Sequence, residues 1–261
     1  MYYPCMEGKV ALVTGAAQGI GEAVVRALAE QGARIAVVDR NEAGLRSLVV
    51  DLTEVGAKVL GYKVDVGRSS EVEAIVGQVE RDLGPIDMLI NVAGVLRMGA
   101  IESLSDEDWQ SHFTVNTNGV FYASRAVVRR MATRQSGAIV TVSSNASKVP
   151  RTQMSAYVAS KAASTMFTKC LALEYAKDNI RCNVVSPGST DTEMQRLLWK
   201  DENGAQPIID GSSESYRVGI PLGKIATPAD IAASVLFLLS SRAGHITMHD
   251  VCVDGGATLG C

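Results

Sequence analysis

Residues 14–21 read TGAAQGIG, and they stand between the apolar segment KVALV at 9–13 and a helical pattern over 19–31. The first glycine of this stretch permits a tight turn, the second lets the backbone approach a phosphate, and the third lets helix and strand pack closely. Free N–H groups at the start of the helix favour phosphate oxygens. The pattern predicts a dinucleotide-binding site, although a turn without a ligand has the same local pattern. The residues expected there are Gly15, Gln18, Gly19, Ile20 and Gly21.

The rest of the chain alternates between short apolar segments and helical patterns. Predicted strands follow at 34–39, 58–65, 86–94, 137–143, 180–186 and 249–253, and predicted helices at 41–55, 69–83, 106–134, 155–178 and 228–240. Strands that are apolar on both faces and alternate with helices predict a parallel sheet covered on both sides. The chain contains no low-complexity linker and no internal repeat, so residues 1–261 are predicted to form a single α/β domain. Its predicted architecture is a Rossmann-type, doubly wound sheet of seven parallel strands. The polar stretch 189–217 has weak periodicity and is predicted to be a substrate lid.

Asp39 ends the second predicted strand, eighteen residues after Gly21. A carboxylate in this place can accept hydrogen bonds from both hydroxyls of an adenosine ribose, and it would repel a 2′-phosphate. Asp39 therefore favours NAD over NADP as the cofactor, although an aspartate at a strand end is often a turn residue or a helix cap. Arg40 is the feature that would favour NADP instead, because its guanidinium could pair with a 2′-phosphate.

The sequence YVASK at 157–161 places Tyr157 and Lys161 four residues apart, on the same face of a predicted helix. A cation within a few ångströms favours the phenolate form of tyrosine and lowers its pKa, which would make Tyr157 a general base. Ser144 lies thirteen residues before Tyr157 and is the candidate to hold the substrate oxygen. Its neighbour Ser143 is the alternative, and only the spacing favours Ser144.

The composition limits the possible partners. The chain has 261 residues, of which 47% are hydrophobic, and a net charge of -3, so it offers no basic surface for nucleic acid or an anionic membrane. Five widely spaced cysteines form no C-x-x-C pair and no cluster with histidine, so we expect no metal site. Reduced thiols and the lack of a signal-peptide pattern at the start predict a cytoplasmic protein that does not cross a membrane.

The motifs together resemble those of the short-chain dehydrogenase/reductase family, over the whole length of the chain. They are TGAAQGIG at 14–21, Asp65 with Val66, NVAG at 91–94, Asn116 in VNTNGVF, Ser144 in VSS, YVASK at 157–161, NVVSPG at 183–188 and VDGG at 253–256. The family pattern usually reads N-N-A-G where this chain has valine at position 92. The resemblance implies a nicotinamide cofactor, an oxidoreductase activity and a homotetramer.

The resemblance also implies a role for individual residues. Tyr157 is expected to take the proton of a substrate hydroxyl, while Lys161 lowers the pKa of Tyr157 and binds the nicotinamide ribose. Ser144 is expected to hold the substrate oxygen, and the N-x-x-G pattern selects Asn116, not Asn118, as the residue that shapes its helix. The other residues expected to contact the cofactor are Asp39, Arg40, Asp65, Val66, Asn91, Ala93, Gly94, Pro187, Gly188, Thr190 and Thr192.

Segments outside the shared core resemble the family members of catechol-siderophore pathways, which oxidise a carboxylated cyclohexadiene diol. They include GVLRMGAIESLSDEDW at 94–109, VPRTQMSAY at 149–157 and HITMHDVCVDGGATLG at 245–260. A small carboxylate substrate requires a cation, and the candidates on predicted loops are Arg97, Arg151 and Arg196, with Met154, Ser144 and Tyr157 completing the substrate site. Two alternatives stay open: another dehydrogenase of the family, such as a sugar dehydrogenase or an acyl-carrier-protein ketoreductase, or an NAD-binding regulator without activity.

Overall fold

The computed structural model of the chain describes residues 3–197, Trp199 and residues 204–260. The predicted lid at 189–217 therefore includes five residues, 198 and 200–203, that lie outside the described residues. Two short helices occupy the part of this stretch that the structure describes, Glu193–Arg196 and Gln206–Asp210. Among the described residues, no helix is both long and apolar enough to cross a bilayer.

Seven parallel strands form one sheet, as the sequence predicts. They are β1 (Val10–Thr14), β2 (Arg34–Asp39), β3 (Lys58–Lys63), β4 (Ile86–Asn91), β5 (Gly137–Val142), β6 (Ile180–Pro187) and β7 (Asp250–Val253). Their order in the sheet is β3-β2-β1-β4-β5-β6-β7, and every pair of neighbours is parallel. The chain therefore starts in the middle of the sheet, builds one half outward, and returns beside β1 to build the other half.

Helices cover both faces of the sheet. They are α1 (Gly19–Glu30), α2 (Glu42–Glu54), α3 (Ser69–Asp82), α4 (Asp106–His112), α5 (Val120–Arg134), α6 (Ser155–Tyr175), α7 (Glu193–Arg196), α8 (Gln206–Asp210) and α9 (Pro228–Leu239). The apolar sides of α1, α2 and α9 pack in one core, and those of α3, α5 and α6 pack in the other. The predicted α/β architecture, with helices on both faces, is confirmed.

The alternation of side chains along β1 shows why each strand is apolar throughout. Ala11 and Val13 lie in the core beneath α1, while Val10 and Leu12 lie in the core on the opposite face. Successive side chains of a strand point to opposite faces, so a strand buried on both sides needs apolar residues at every position. All five residues of β1 are buried.

The predicted continuous helix over 106–134 is wrong in its middle. The structure divides it into α4, a π-helical segment at Phe113–Gly119, and α5. The predicted helix over 155–178 has its α-helical part in α6, and a 3-10 turn at Ala176–Asp178 ends it. Apolar periodicity identifies a helix over this length but does not distinguish a π-helical turn from the α-helix around it.

The point where the strand order reverses lies between β1 and β4. Ligands of open α/β sheets bind outside the carboxyl ends of the strands at such a point. The glycine-rich turn leaves β1 there and the loop at 91–94 leaves β4, so both predicted cofactor loops meet at one crevice. A Cβ atom at Gly15 would lie 2.6 Å from the Cα of Ala93, and one at Gly21 would overlap the carbonyl oxygen of Gly15. Glycine is thus required at both positions for the turn, α1 and the neighbouring loop to pack together.

We expect Gly21→Ala to lower the free energy of unfolding by about 1–3 kcal/mol or more, because the added methyl overlaps backbone that cannot move independently. Gly77→Ala is the matched control, since it also lies within a helix but its nearest neighbours are the flexible ends of Arg81 and Arg130 side chains. That control should raise stability by roughly 0.5–1 kcal/mol, the usual gain of alanine over glycine in a helix. Urea unfolding at one protein concentration measures both. Equal effects of the two substitutions would contradict the packing argument.

Candidate active site

Two adjoining cavities lie at the carboxyl edge of the sheet. The first has a volume of about 360 Å³ and contains the glycine-rich turn, and the second has a volume of about 410 Å³ and opens beside the start of α6. Five residues line both cavities: Ile20, Ser143, Tyr157, Thr192 and Met194. Tyr157 therefore stands at the junction, where one group can reach molecules bound on either side.

Most of the predicted cofactor residues line the first cavity. They are Gly15, Gln18, Gly19, Ile20, Gly21, Asp39, Arg40, Asp65, Val66, Ala93, Gly94, Tyr157, Lys161 and Thr192. Gln18 makes no side-chain cap at the start of α1, so the first N–H groups of that helix are not covered by it. Gly15 and Gly19 have φ angles of 65° and 59°, values that residues with a side chain rarely adopt. The lining and the uncapped helix fit a dinucleotide whose phosphates lie at the glycine-rich turn.

Asp39 has a role in the fold as well as a place in the first cavity. Its Oδ2 accepts a hydrogen bond from the backbone N–H of Ala17 at 3.1 Å, and its Oδ1 accepts one from the N–H of Asn41 at 2.9 Å. The carboxylate thus fixes the glycine-rich turn against the start of α2. Each oxygen can accept a further hydrogen bond, so this structural role is compatible with the predicted ribose contact.

Asn91 does not line either cavity, and the cofactor contact expected of it stays a prediction. Its side chain is buried, and its Nδ2 donates hydrogen bonds to Ser124 Oγ at 3.1 Å and to Thr141 Oγ1 at 3.4 Å. Asn91 is therefore a structural residue that joins β4 to β5 and α5. Three other predicted cofactor residues, Pro187, Gly188 and Thr190, line the second cavity and not the first.

Lys161 and Tyr157 are both buried on α6. Nζ of Lys161 donates a hydrogen bond to the carbonyl oxygen of Val142 at 2.9 Å and lies 5.9 Å from the centre of the Tyr157 ring. Burial lowers the pKa of Lys161 to about 8. Burial also raises the pKa of Tyr157, and a hydrogen bond with Ser144 opposes that rise. In the protein alone, desolvation therefore outweighs the factors that favour the phenolate, and the lowering of the Tyr157 pKa by Lys161 stays a prediction.

The two neighbouring serines at the end of β5 have different environments. Ser143 shares a hydrogen bond of 2.6 Å with Thr165 Oγ1, and its Oγ also donates to the carbonyl oxygen of Lys161 at 3.3 Å. Both contacts hold the serine against α6. Ser144 lines the second cavity, accepts the N–H of Ala146 at 3.2 Å and is the serine that hydrogen-bonds Tyr157. The geometry therefore favours Ser144 as the serine beside the substrate.

Asn116 connects the π-helical segment to the rest of the site. Its Oδ1 accepts the N–H of Val95 at 2.8 Å, and its Nδ2 donates to the carbonyl oxygen of Val95 at 3.0 Å and to Ser160 Oγ at 2.9 Å. Asn116 is fully buried, whereas Asn118 is exposed. The amide thus holds the loop after β4 against α6 close to Lys161. The role predicted for Asn116 in shaping its helix for the active site stays a prediction.

The second cavity contains only part of the predicted substrate site. Arg151, Met154, Ser144 and Tyr157 line it, but Arg97 and Arg196 do not. Arg97 Nε lies 3.3 Å from Asp108 Oδ1, and Arg196 Nε lies 2.6 Å from Asp191 Oδ1. Each guanidinium pairs with a carboxylate and is largely exposed, and the substrate contacts expected of these two arginines stay a prediction.

Arg217 lines the second cavity, although it is not among the arginines that the sequence predicts for the substrate site. It belongs to the weakly periodic stretch at 189–217, far from the recognised motifs. The structure brings it to the cavity through an antiparallel bridge with Ser212, in which each residue donates its N–H to the carbonyl oxygen of the other at 2.9 Å. A requirement for a second cation beside Arg151 is the one signal that could have identified it.

Comparison with known proteins agrees with this geometry. The family model described as short chain dehydrogenase matches residues 9–203. The chain belongs to the short-chain dehydrogenase family. It is 60% identical over 255 residues to 2,3-dihydro-2,3-dihydroxybenzoate dehydrogenase of Bacillus subtilis, covering 98% of each chain. It is 44% identical to the enzyme of the same name from Escherichia coli, covering 97% of this chain and 98% of the relative.

A solved structure gives the same result for the fold. The crystal structure of a short-chain type dehydrogenase/reductase from Mycobacterium marinum superimposes with a TM-score of 0.89 at 33% identity, covering 97% of this chain and 96% of that one. The resemblance expected from the motifs is thus confirmed at the level of the family and the fold. A short-chain dehydrogenase uses a nicotinamide cofactor, and the first cavity has the lining that such a cofactor requires.

Proposed function

We propose that this short-chain dehydrogenase oxidises 2,3-dihydro-2,3-dihydroxybenzoate to 2,3-dihydroxybenzoate with NAD, as a step of catechol-siderophore biosynthesis. The observation that carries the proposal is the position of Tyr157 between the cavity of the glycine-rich turn and a second cavity, which is lined by Arg151 and Arg217. The similarity to relatives that bear this enzyme name supports the same substrate.

The reaction removes two hydrogens from one carbinol group of the ring. A bound nicotinamide would supply the acceptor for the hydride of the carbon, and the protein has to take the proton from the hydroxyl oxygen. In the ketone that results, the hydrogen on the neighbouring carbinol carbon can move to the ketone oxygen. The ring then becomes an aromatic catechol, and the gain of aromaticity drives the oxidation forward. The protein therefore has to supply a base, a donor that holds the oxygen, and a fixed orientation of the ring.

Tyr157 is the proposed base, and Ser144 is the proposed partner of the substrate oxygen. Burial opposes a phenolate at Tyr157, so the base form depends on the positive charge of Lys161 and on the hydrogen bond with Ser144. With a pKa of about 8, Lys161 is mainly charged at neutral pH. A phenolate formed beside it would stabilise that charge further, since the two groups titrate as a pair.

Tyr157→Phe should lower the turnover of the dihydrodiol acid by roughly two to four orders of magnitude, the usual effect of removing a general base. The fold and NAD affinity should be retained. The appearance of NADH absorbance measures the rate, and calorimetry measures NAD binding. Tyr62→Phe is the control, because its hydroxyl bonds Asp82 on the outer edge of the sheet, and its activity should equal that of the unmodified enzyme.

Three outcomes of this assay would lead to other conclusions. A Tyr157→Phe enzyme at full rate would contradict the assignment of the base. Turnover of a sugar alcohol or a ketoacyl substrate, without turnover of the dihydrodiol acid by the unmodified enzyme, would identify another member of the family. NAD binding without turnover of any of these substrates would indicate a regulator.

The cofactor of choice is proposed to be NAD because Asp39 lines the first cavity and would face a 2′-phosphate. Asp39→Asn removes the charge and keeps one oxygen acceptor for the backbone N–H groups of Ala17 and Asn41. We expect it to reduce the ratio of kcat/KM for NAD over NADP by roughly tenfold or more, since a like-charge repulsion is lost. Equal use of both cofactors by the unmodified enzyme would contradict the proposal.

We also propose that the single domain assembles as a homotetramer in the cytoplasm. The support within the chain is the outer face of α6, where Met166 and Leu173 are 60% and 69% exposed. Apolar side chains grouped in this way commonly form interfaces between identical chains. Light scattering at micromolar concentration should give the mass of four chains, and the mass of a single chain would refute the assembly.

A further inference from the structure

Arg151 and Arg217 reach the second cavity from two separate loops. Arg151 precedes α6 in the chain, and Arg217 lies at the end of the loop that the bridge with Ser212 closes. Both side chains are half-buried, and both line the cavity that also contains Ser144 and Tyr157. Two guanidinium groups thus share one cavity with the proposed base.

Neither arginine forms an ion pair with a carboxylate within the described part of the chain. Arg217 Nη2 donates only to the sulfur of Met154, at 3.5 Å, and a thioether is a weak acceptor. Asp254 acts on Arg151 from beyond the distance of an ion pair, and its own oxygens accept hydrogen bonds from Asn145 Nδ2, Thr258 Oγ1 and the N–H of Gly256. The positive charges of Arg151 and Arg217 are therefore not neutralised by an adjacent carboxylate of the described residues, in contrast to the surface arginines that form ion pairs.

The other cations near the cavity already have partners. Arg97 pairs with Asp108, Arg196 with Asp191, and Lys148 with Asp250 at 3.1 Å. The contrast is informative because a guanidinium that is partly withdrawn from water normally has a carboxylate beside it. The side of the cavity that Arg151 and Arg217 form therefore carries positive charge without a neighbouring carboxylate among the residues that the structure describes.

The two charges also disfavour each other. Burial lowers the pKa of both groups, and the charge of Arg151 lowers the pKa of Arg217 further. An anion bound between them would relieve the repulsion and replace the lost hydration at the same time. Guanidinium groups bind planar carboxylates through parallel hydrogen bonds, so the match with a carboxylate is geometric as well as electrostatic.

We propose that Arg151 and Arg217 together bind the carboxylate of the substrate and thereby select a ring acid over the same diol without the acid group. The identity of the ring rests on the function proposed above. A carboxylate held at one side of the cavity fixes the ring, so that one hydroxyl faces Tyr157 and Ser144. Both arginines are substrate-binding residues in this account, and they do not take part in proton transfer.

The test compares two substrates and two ligands on the same variants. The substrates are the dihydrodiol acid and cyclohexa-3,5-diene-1,2-diol, which lacks the acid group, and the ligands are 2,3-dihydroxybenzoate and catechol, whose binding calorimetry measures without turnover. Arg151→Met and Arg217→Met should each lower kcat/KM for the acid, and affinity for the ring acid, roughly ten- to a hundredfold. Values for the diol and for catechol should stay unchanged, which also shows that each variant is folded.

Two further variants sharpen the comparison. Arg217→Lys keeps the charge but not the parallel hydrogen bonds, so its loss on the acid should be smaller than that of Arg217→Met. Arg81→Met removes an exposed arginine of α3 that bonds Gln78, and it should behave as the unmodified protein. These values separate the charge of Arg217 from its geometry.

The outcomes distinguish this proposal from the proposed function. If the unmodified enzyme does not oxidise the dihydrodiol acid at all, the function is wrong, and the calorimetry still tests whether the pair binds a ring carboxylate. If the unmodified enzyme is active and Arg217→Met retains full preference for the acid, the pair is not the carboxylate site. An equal loss on acid and diol would make Arg217 a structural residue, and a selective loss in Arg97→Met alone would place the carboxylate elsewhere.

Discussion

The close packing of the glycine-rich turn against α1 and the loop after β4 is the constraint on which the rest of the structure depends. A side chain at Gly21 would overlap the carbonyl oxygen of Gly15, and one at Gly15 would meet the backbone of Ala93. Only glycine lets these three segments approach, so the carboxyl ends of β1 and β4 form a narrow crevice at the point where the strand order reverses. The position of the first cavity follows from this contact.

Helix α6 places Tyr157 where the two cavities meet and Lys161 in the lining of the first cavity. Burial makes a charge on either group costly, and the surrounding polar contacts offset part of that cost: Val142 accepts from Lys161, and Ser144 bonds Tyr157. Asn116 ties the loop after β4 to the same helix through Val95 and Ser160. Tyr157 and Lys161 are therefore held by contacts with the end of β5 and the turn that follows it.

The sequence predicted the features that repeat or that have a strict steric reason. Apolar strands, helical periodicity and the required glycines of 14–21 define the fold, and the spacing of Ser144, Tyr157 and Lys161 places them at one edge of the sheet. The π-helical segment at 113–119 was not predictable, because apolar periodicity identifies a helix without distinguishing a π-helical turn within it. The sequence did not indicate that Arg217 lines the second cavity or that Arg97 pairs with Asp108, since loop closure and ion-pair partners depend on tertiary contacts that no local pattern contains.

A crystal structure of the protein with NAD and 2,3-dihydroxybenzoate would show whether Tyr157 lies between a bound cofactor and a bound ring. We expect the dinucleotide to lie along the glycine-rich turn and Asp39, and the ring to lie in the second cavity. One ring hydroxyl should lie within about 2.6–3.2 Å of the Tyr157 oxygen, a hydrogen-bond distance that proton transfer requires. A ring bound outside the second cavity, or with both hydroxyls turned away from Tyr157, would contradict the assignment of Tyr157 as the base.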